Sequence, residues 1–522
     1  MKSKNNIPCL NFNLNHGQIQ VKMDFNTDVV VENDAKLMVL QNLVKELNLD
    51  LIKNAYSQKG RKPVIDPVSM FQILIYCYSE GIKSSREIEK MRKYDLRILY
   101  LLQGQKSPDH STINRFRQKL EPFVEKILEK NNKFLIDNNL LDASSIYIDE
   151  TKIAANANKY TFVWKKAVIK FKDKLIKKVI KYFNLDETIE ENSLVKFLEN
   201  ENKKLSKKIE SENIVIVHGK GKRKTDTQKK FELIDQYLTK FLEYNKHLEI
   251  MGERNSYSKT NHDATFMRMK DDHMLNGQLK PAYNIQFATS GNFILGIYGS
   301  HHPSDMYTLP LLINKLYPIY KNKMDKIVCD AGYESEENYV FLDEKKLRAF
   351  IKPSNYKISK TRKYKKKQEF RENLIYDKDL DQYKTEGGKI FLRIKDRKKV
   401  KKSGYISISK VYKCFDWNLN GTKTKSIWFT EIFEKYRLKS LENITSNEGI
   451  NERVNRSVQA EGAFSKLKEG LKYSRFKHKG LKNILSEMNL MAIAMNLNTL
   501  TYKILNKDFN PTRYISVEEK VA

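Results

Sequence analysis

The stretch SIYIDETKIAANANKY, residues 145–160, decides how the chain is read. Ile146, Tyr147 and Ile148 form an apolar run of strand type, and Asp149 follows it at once, with Glu150 next. A buried carboxylate without a partner is costly, so Asp149 at the end of an apolar strand asks for one. A second run, KIVCDAGYES, sets Asp330 in the same position after Ile327, Val328 and Cys329. Taken singly, each aspartate reads equally as a turn-capping residue. Taken together they read differently, because ligands gather at the carboxyl ends of strands in α/β sheets. Two aspartates side by side repel unless a cation sits between them. Hard oxygen ligands suit Mg²⁺ or Mn²⁺ rather than zinc.

A third carboxylate would complete such a cage. The strongest choice is Glu461 in RSVQAEGAFSKLKEGLKYSRFKHKG, on a predicted helix with apolar Val458, Phe464 and Leu467 around it. Glu452, Glu469 and Glu487 are its rivals. Lys468 lies seven residues on, two α-helical turns along the same face, where it would hold a phosphate beside the metal. Arg475 continues that line. Glu150 points to the opposite face of its strand and is not expected as a ligand. His262, His301 and His302 read as loop or packing residues, and Asp263 as a polar residue without an assigned role.

Composition agrees with a polyanionic partner. Of 522 residues, 96 are Lys or Arg and 64 are Asp or Glu, a formal net charge of +32. AT-rich coding inflates lysine but does not explain the shortfall of acids. A strongly positive field points first to nucleic acid. The four cysteines, Cys9, Cys77, Cys329 and Cys414, form no CxxC pair, which argues against a disulfide framework or a cysteine zinc site and for a reducing compartment. MKSKNNIPCLNFNLNHGQ has no apolar core of signal-peptide length. LSEMNLMAIAMNLNTL is too short to span a membrane. The expectation is a cytoplasmic, nucleoid-associated protein with no membrane partner.

Residues 1–140 read as a helical N-terminal domain that binds DNA. VSMFQILIYCYSEGI is a helix closed by Gly81, and Ser84 with Glu87 has capping-box spacing. Pro108 and Asp109 start another helix, on which Ile113, Phe116 and Leu120 share one face. Asn114, Arg115, Arg117 and Gln118 lie off that face and suit phosphates and base edges. Residues 163–255 read as a charged helical hairpin inserted around IVIVHGKGKRKTDTQ, with a basic tip from Lys220 to Lys224. PAYNIQFATSGNFILGIYGS reads as two strands around Ser290-Gly291-Asn292. Residues 355–445 form a basic insertion with short strand-like pieces, KISKTRKYKKK and KDRKKVKK among them. The remaining segments, residues 141–162, 256–354 and 446–508, carry the three candidate carboxylates and read as one core.

Five blocks, in order, carry a resemblance: GRKPVIDPVSMFQILIYCYSEGIKSSREIE with SPDHSTINRFRQ, then YIDETKIAANANKYTFVW, SKTNHDATFMRMKDDHMLNGQLKPAYNIQFAT, VCDAGYESEENY and AEGAFSKLKEGLKYSRFKHKGLKN. Together they resemble the DDE transposases of bacterial insertion sequences, in particular the group named after insertion sequence eleven-eighty-two. The resemblance implies a multidomain α plus α/β protein. Its ribonuclease-H-like mixed β-sheet core would be flanked by helices, with Asp149, Asp330 and Glu461 as metal ligands. It also implies Mg²⁺ or Mn²⁺, two ions per site, and double-stranded DNA as partner, both terminal inverted repeats and target, bound by a homodimer. Relatives carry Tyr, Arg, Glu and Lys on the last helix. Lys468 fits, whereas Val454 and Ser457 depart from the Tyr and Arg spacing, leaving Arg456 or Arg453 as substitutes. The cysteines common before that helix are reduced to Cys414. Two other readings stay open: a transposase-derived DNA-binding protein without catalysis, and a metal-dependent nuclease that cuts without joining.

Overall fold

A computed structural model of the chain describes residues 34–53, 56, 63–219, 223–269, 277–367, 370–401, 403–417 and 423–508. Cys9 and most of the basic tip from Lys220 to Lys224 lie outside the described residues. The described part begins with helices α1 (Ala35–Glu46), α2 (Pro67–Ser79), α3 (Ser85–Met91), α4 (Leu96–Leu102), α5 (His110–Leu120) and α6 (Val124–Asp137). Their ends follow local chemistry. Asp66 accepts the Val68 and Ser69 N–H groups at the start of α2, where Pro67 has no N–H to lose. Gly81, at φ 77°, lets Ile82 N–H return to the Cys77 carbonyl at 2.8 Å. Asp109 starts α5 by accepting Thr112 N–H at 2.7 Å. Ser84 precedes α3 but makes no side-chain cap bond there, contrary to its capping-box spacing.

Strand β1 (Ser145–Ala154) follows, then β2 (Phe162–Trp164), helices α7 (Lys165–Phe183), α8 (Glu191–Ser211) and α9 (Asp226–Met251), and β3 (Ser256–Ser258), which pairs back on β2. The expected hairpin at 163–255 is therefore a three-helix arm. Asn184, left-handed at φ 48°, ends α7. The arm has its own core of Leu175, Val179, Leu194, Leu198, Ile234 and Phe241.

The main sheet adds β4 (Thr265–Arg268), β5 (Leu279–Ser290), β6 (Phe293–Ser300), β7 (Lys326–Cys329) and β8 (Arg348–Ile351). Helix α10 (Leu309–Tyr320) precedes β7, and α11 (Glu336–Glu344) precedes β8. Gly291 and Asn292, both at positive φ (55° and 68°), make the tight β5–β6 turn, as a two-residue hairpin requires. Across the sheet the strands run β6–β5–β1–β7–β8, with β4 sharing the outer edge of β5. β5 is antiparallel to β1, whereas β7 and β8 run parallel to it and to each other. β1 is thus central and covered on both faces, which explains its unbroken apolar run.

Alternation along β1 divides the covers. Ile146 and Ile148 join α10 and α11 in one core. Tyr147 packs on the other face with Val328, Phe350, Ile444 and Ala460. A second, antiparallel sheet is built from β9 (Ile375–Asp377), β10 (Gln382–Lys384), β11 (Ile390–Val400), β12 (Ile406–Cys414) and β13 (Lys425–Phe429), around Tyr383, Phe391, Tyr412, Cys414, Trp417 and Ile427. Helix α12 (Glu431–Thr445), the tail of the stretch read as insertion, leaves that sheet and covers β8: Ser440 Oγ accepts Ile351 N–H at 3.0 Å. Then come α13 (Asn447–Arg456), an irregular helical segment through Gly470, and α14 (Leu481–Leu505).

α14 is buried on nearly every side. It lies between the sheet and the N-terminal helices, and its apolar side chains form one cluster with those of α1, α2, α4, α5 and α6 and with Ile285 and Phe287 of β5. The N-terminal helices and the sheet therefore share a core. No helix of the described residues is long and apolar enough to cross a membrane.

Candidate active site

The last residues paired between β1 and β7 are Ile148 and Cys329. The next residue on each strand is an aspartate: Asp149 and Asp330. Parallel neighbours in register lie about 4.8 Å apart with side chains on one face, so the two carboxylates start from adjacent points. Only Asp330 ends its strand. It turns and accepts Gly332 N–H at 2.9 Å, opening the tight turn Ala331–Tyr333. The expected strand end at Asp149 is corrected, because β1 runs on to Ala154 on its β5 side, where Asp149 sits opposite Phe287. Asp149 is 6 % exposed. One of its oxygens accepts Glu150 N–H at 2.8 Å and the other lies 3.4 Å from Arg456 Nη1.

The same guanidinium reaches Glu461, with Nη2 at 3.1 Å from Oε1. Ser457 Oγ donates to the other Glu461 oxygen at 3.1 Å. Arg456 therefore spans the first and third candidate carboxylates. The rival glutamates are engaged elsewhere. Glu452 is buried and accepts from Tyr147, Ser145 and Lys326. Glu487 is buried beside His478 at 2.8 Å. Glu469 lies 3.5 Å from Ser465 Oγ. Phe464, one turn after Glu461, stacks on Phe287 with ring centroids 4.6 Å apart, which seats the segment on the Asp149 face.

That segment is not a plain α-helix. Ser457–Glu461 and Lys466–Gly470 are π-helical turns, with one α-helical turn between them. Such wider turns are rare and frequent at functional sites. The two-turn spacing expected from Glu461 to Lys468 consequently does not apply. Arg475 is off the helix altogether: the helix stops at Gly470, and Arg475 donates to the Ala155 and Ala157 carbonyls at 3.2 and 3.0 Å.

Among the described residues no group of three or more His, Cys, Asp or Glu is drawn together in an arrangement that could hold a metal. The donor set nonetheless fits a hard divalent cation in its chemistry, being all carboxylate oxygen. A guanidinium carries the positive charge between two of the three.

On the opposite face of β1 lies a polar cluster that the sequence reading passed over. Asn284 Nδ2 donates to Asp305 Oδ1 at 2.6 Å, and Tyr333 donates to Gln286. Burial and then the nearby Glu150 push the Asp305 carboxyl up to about 6. Gly332 threads between the two carboxyls: a Cβ there would come 3.1 Å from both Asp305 Oδ2 and Asp330 Oδ1. The signal was the pair Asn284 and Gln286, two amides two residues apart in an otherwise apolar strand. Asp263 also gains a role: its carboxylate accepts Leu481 N–H at 2.9 Å at the start of α14. His301 bonds the Asp263 carbonyl at 2.7 Å, a packing role.

The α5 residues separate. Arg115 and Gln118 are exposed. Asn114 is half-buried, 3.4 Å from Arg117 Nη1. Arg117, expected to face DNA, is 8 % exposed instead. It donates to the Lys83 carbonyl at 2.6 Å and lies over the Tyr78 ring. α5 packs against α2 and α14, so its polar side is partly interior.

Two family models match the chain. One, described as Transposase domain (DUF772), covers residues 25–119; the other, described as Transposase DDE domain, covers residues 387–501 and contains Glu461 but not Asp149 or Asp330. No curated protein and no solved structure matches.

Proposed function

We propose that this chain, an insertion-sequence DDE transposase by its two matched domains, cleaves and joins DNA strands with Asp149, Asp330 and Glu461 as its catalytic carboxylates. The observation that carries the reading is the pair of aspartates just past the last β1–β7 pairing, with Glu461 tied to the first through Arg456. The strand order β6–β5–β1–β7–β8, with β5 antiparallel to β1 and both β7 and β8 parallel to it, supports a ribonuclease-H-like core. The group named after insertion sequence eleven-eighty-two is consistent with the matched families.

Asp149, Asp330 and Glu461 would hold Mg²⁺ or Mn²⁺, two ions in our reading. Bound there, such ions lower the pKa of an attacking water or hydroxyl and neutralise charge at phosphorus. The chain's own part is positional. β1 and β7 bring Asp149 and Asp330 to adjacent points of the sheet, and Phe464 on Phe287 seats the segment that carries Glu461. Arg456, which bridges Asp149 and Glu461, would have to release them for a cation to be held there. Lys468, in the second π-helical turn after Glu461, would take a phosphate oxygen. Attack is in line: water first nicks the element end, then the freed 3′-hydroxyl attacks target DNA. The N-terminal helices read the terminal inverted repeats, with Arg115 and Gln118 as the exposed contacts on α5. On β11 the exposed Lys395, Arg397, Lys398 and Lys399 meet the phosphate backbone, which makes binding steeply salt-dependent. Joining two ends calls for a homodimer on DNA.

The test is Asp149→Asn with the inverted-repeat ends as substrate. Asparagine can still accept Glu150 N–H, so the strand keeps its shape. Mg²⁺-dependent strand cleavage should disappear while binding to the ends persists. Cleavage at the wild-type rate refutes the assignment.

A further inference from the structure

We infer that the outer face of α7 is a binding ridge for the phosphate backbone of duplex DNA, separate from the three carboxylates. α7 carries eight lysines and a single acidic residue, Asp173. Lys166, Lys170, Lys174, Lys177 and Lys181 follow one another at steps of three or four residues. At 100° per residue they fall within an arc of about 80°, along about 22 Å of helix axis. All five are exposed. Each strand of B-DNA presents a phosphate about every 3.4 Å of axis, so a row of this length matches a run of about six base pairs.

Lysine-rich coding does not account for the ridge, because the same bundle supplies its own control. α8 has five lysines against four glutamates, and α9 four lysines against five acidic residues. A compositional drift would act on all three helices alike, yet acids are nearly absent from α7 alone. Ion pairing is likewise uneven. Among the described residues the ion pair on α7 belongs to Lys172, 2.6 Å from Glu191, which faces the bundle. The five ridge lysines have none among the described residues. An amphipathic basic helix also suits a membrane surface, but the centre of the apolar stripe of α7 is already committed: Val168, Leu175 and Val179 are buried within the arm and its base, and the exposed Ile169, Phe171 and Tyr182 lie outside the ridge.

The arm is positioned to act with the site. α7 begins directly at β2, and Lys165 N–H donates to the Asn255 carbonyl beside β3. His247 on α9 bonds the Tyr257 hydroxyl at 2.7 Å. The segment from β1 to β2 is held by Arg475 and by Phe476 N–H on the Ala154 carbonyl at 2.9 Å. The ridge is thus attached to the two chain segments that carry Asp149 and Glu461. It rests on the reading of the chain as a DNA-acting transposase.

The experiment compares two full-length variants, each missing four charges from the same arm. One is Lys170, Lys174, Lys177 and Lys181→Ala on the ridge. The other is Lys203, Lys204, Lys207 and Lys208→Ala on α8, where all four are also exposed. Binding to a random-sequence duplex is measured against salt. Each lost phosphate contact lowers the slope of log K against log[salt] by about 0.9. The ridge variant should lose about 3 to 4 in slope and the α8 variant less than about 1. Unchanged melting curves show that both fold. Equal losses mean only net charge matters and overturn the inference. No loss in the ridge variant overturns it as well, and so does a loss confined to anionic phospholipid vesicles. If the wild type binds no duplex, the transposase reading fails with it; if only the ridge variant behaves as wild type, that reading stands.

Discussion

Replacing Arg456 with alanine should weaken the protein without divalent cations and sharpen its response to them. The Asp149 oxygen is 3.4 Å from the guanidinium, and the two side chains are 9 % and 17 % exposed. At an effective dielectric of about 20 the gross attraction is about 5 kcal/mol, of which desolvation of both groups cancels a large part. Removing one partner of a buried pair typically costs about 3–5 kcal/mol. Asp149 keeps its bond from Glu150 N–H, so the low end applies. The Glu461 half of the bridge adds little, because that side chain is 56 % exposed and exposed pairs contribute about 0–1 kcal/mol. The expected loss is about 3 kcal/mol in EDTA, read by differential scanning calorimetry. Saturating Mg²⁺ should then stabilise the variant more than the wild type, where the cation must first displace the guanidinium. At a hundredfold excess over Kd, binding contributes about 2.7 kcal/mol, enough to close most of the gap. Equal stability in EDTA, or identical Mg²⁺ shifts for the two proteins, would refute the reasoning.

Two further outcomes are expected. Gly332→Ala puts a Cβ 3.1 Å from both Asp305 and Asp330. It should displace Asp330, cutting strand cleavage at least about tenfold while melting changes by no more than about 1–3 kcal/mol; unimpaired cleavage would count against Asp330. Burial holds the His301 pKa below its usual value, so its neutral form stabilises the fold above the unfolded value of about 6.5. That contribution should drain away as pH falls through the depressed folded value. His301→Gln, which can still donate to the Asp263 carbonyl, should flatten the acid side of the stability profile, as followed by urea titration.

The aspartate pair was legible because strand patterning is local. An apolar run followed by an aspartate, found twice, is enough to propose two carboxylates side by side, although β1 runs on past Asp149 to Ala154. Asn184 also held a readable signal, since asparagine readily adopts the left-handed conformation that ends a helix, and it splits the first limb of the expected hairpin into two helices. Other features depended on contacts distant in sequence. Arg117 looks like any basic helix residue until the Lys83 carbonyl and the Tyr78 ring enclose it. The π-turns around Glu461 leave no periodic trace, and they change which side chains share its face. Asp305 sits in a loop whose importance comes only from β5 lying beside β1. The buried position of α14 was implied by its sequence, because a helix apolar on all sides must be covered on all sides. What covers it was not.

A ribosome making this chain releases α1 to α6 well before α14 exists. Asn496 on α14 bonds Asn132 on α6 across 364 residues of chain, and Asn498 bonds the Ser79 carbonyl at the end of α2 across 419. At about 5–20 residues per second, the first interval lasts roughly 20 to 70 seconds. Throughout it, the apolar faces of the N-terminal helices wait without their central partner, exposed to chaperones and proteases. A chain cut short before α14 would leave those helices without a finished core. Incomplete translation products would then be open to proteolysis rather than persist as folded N-terminal fragments.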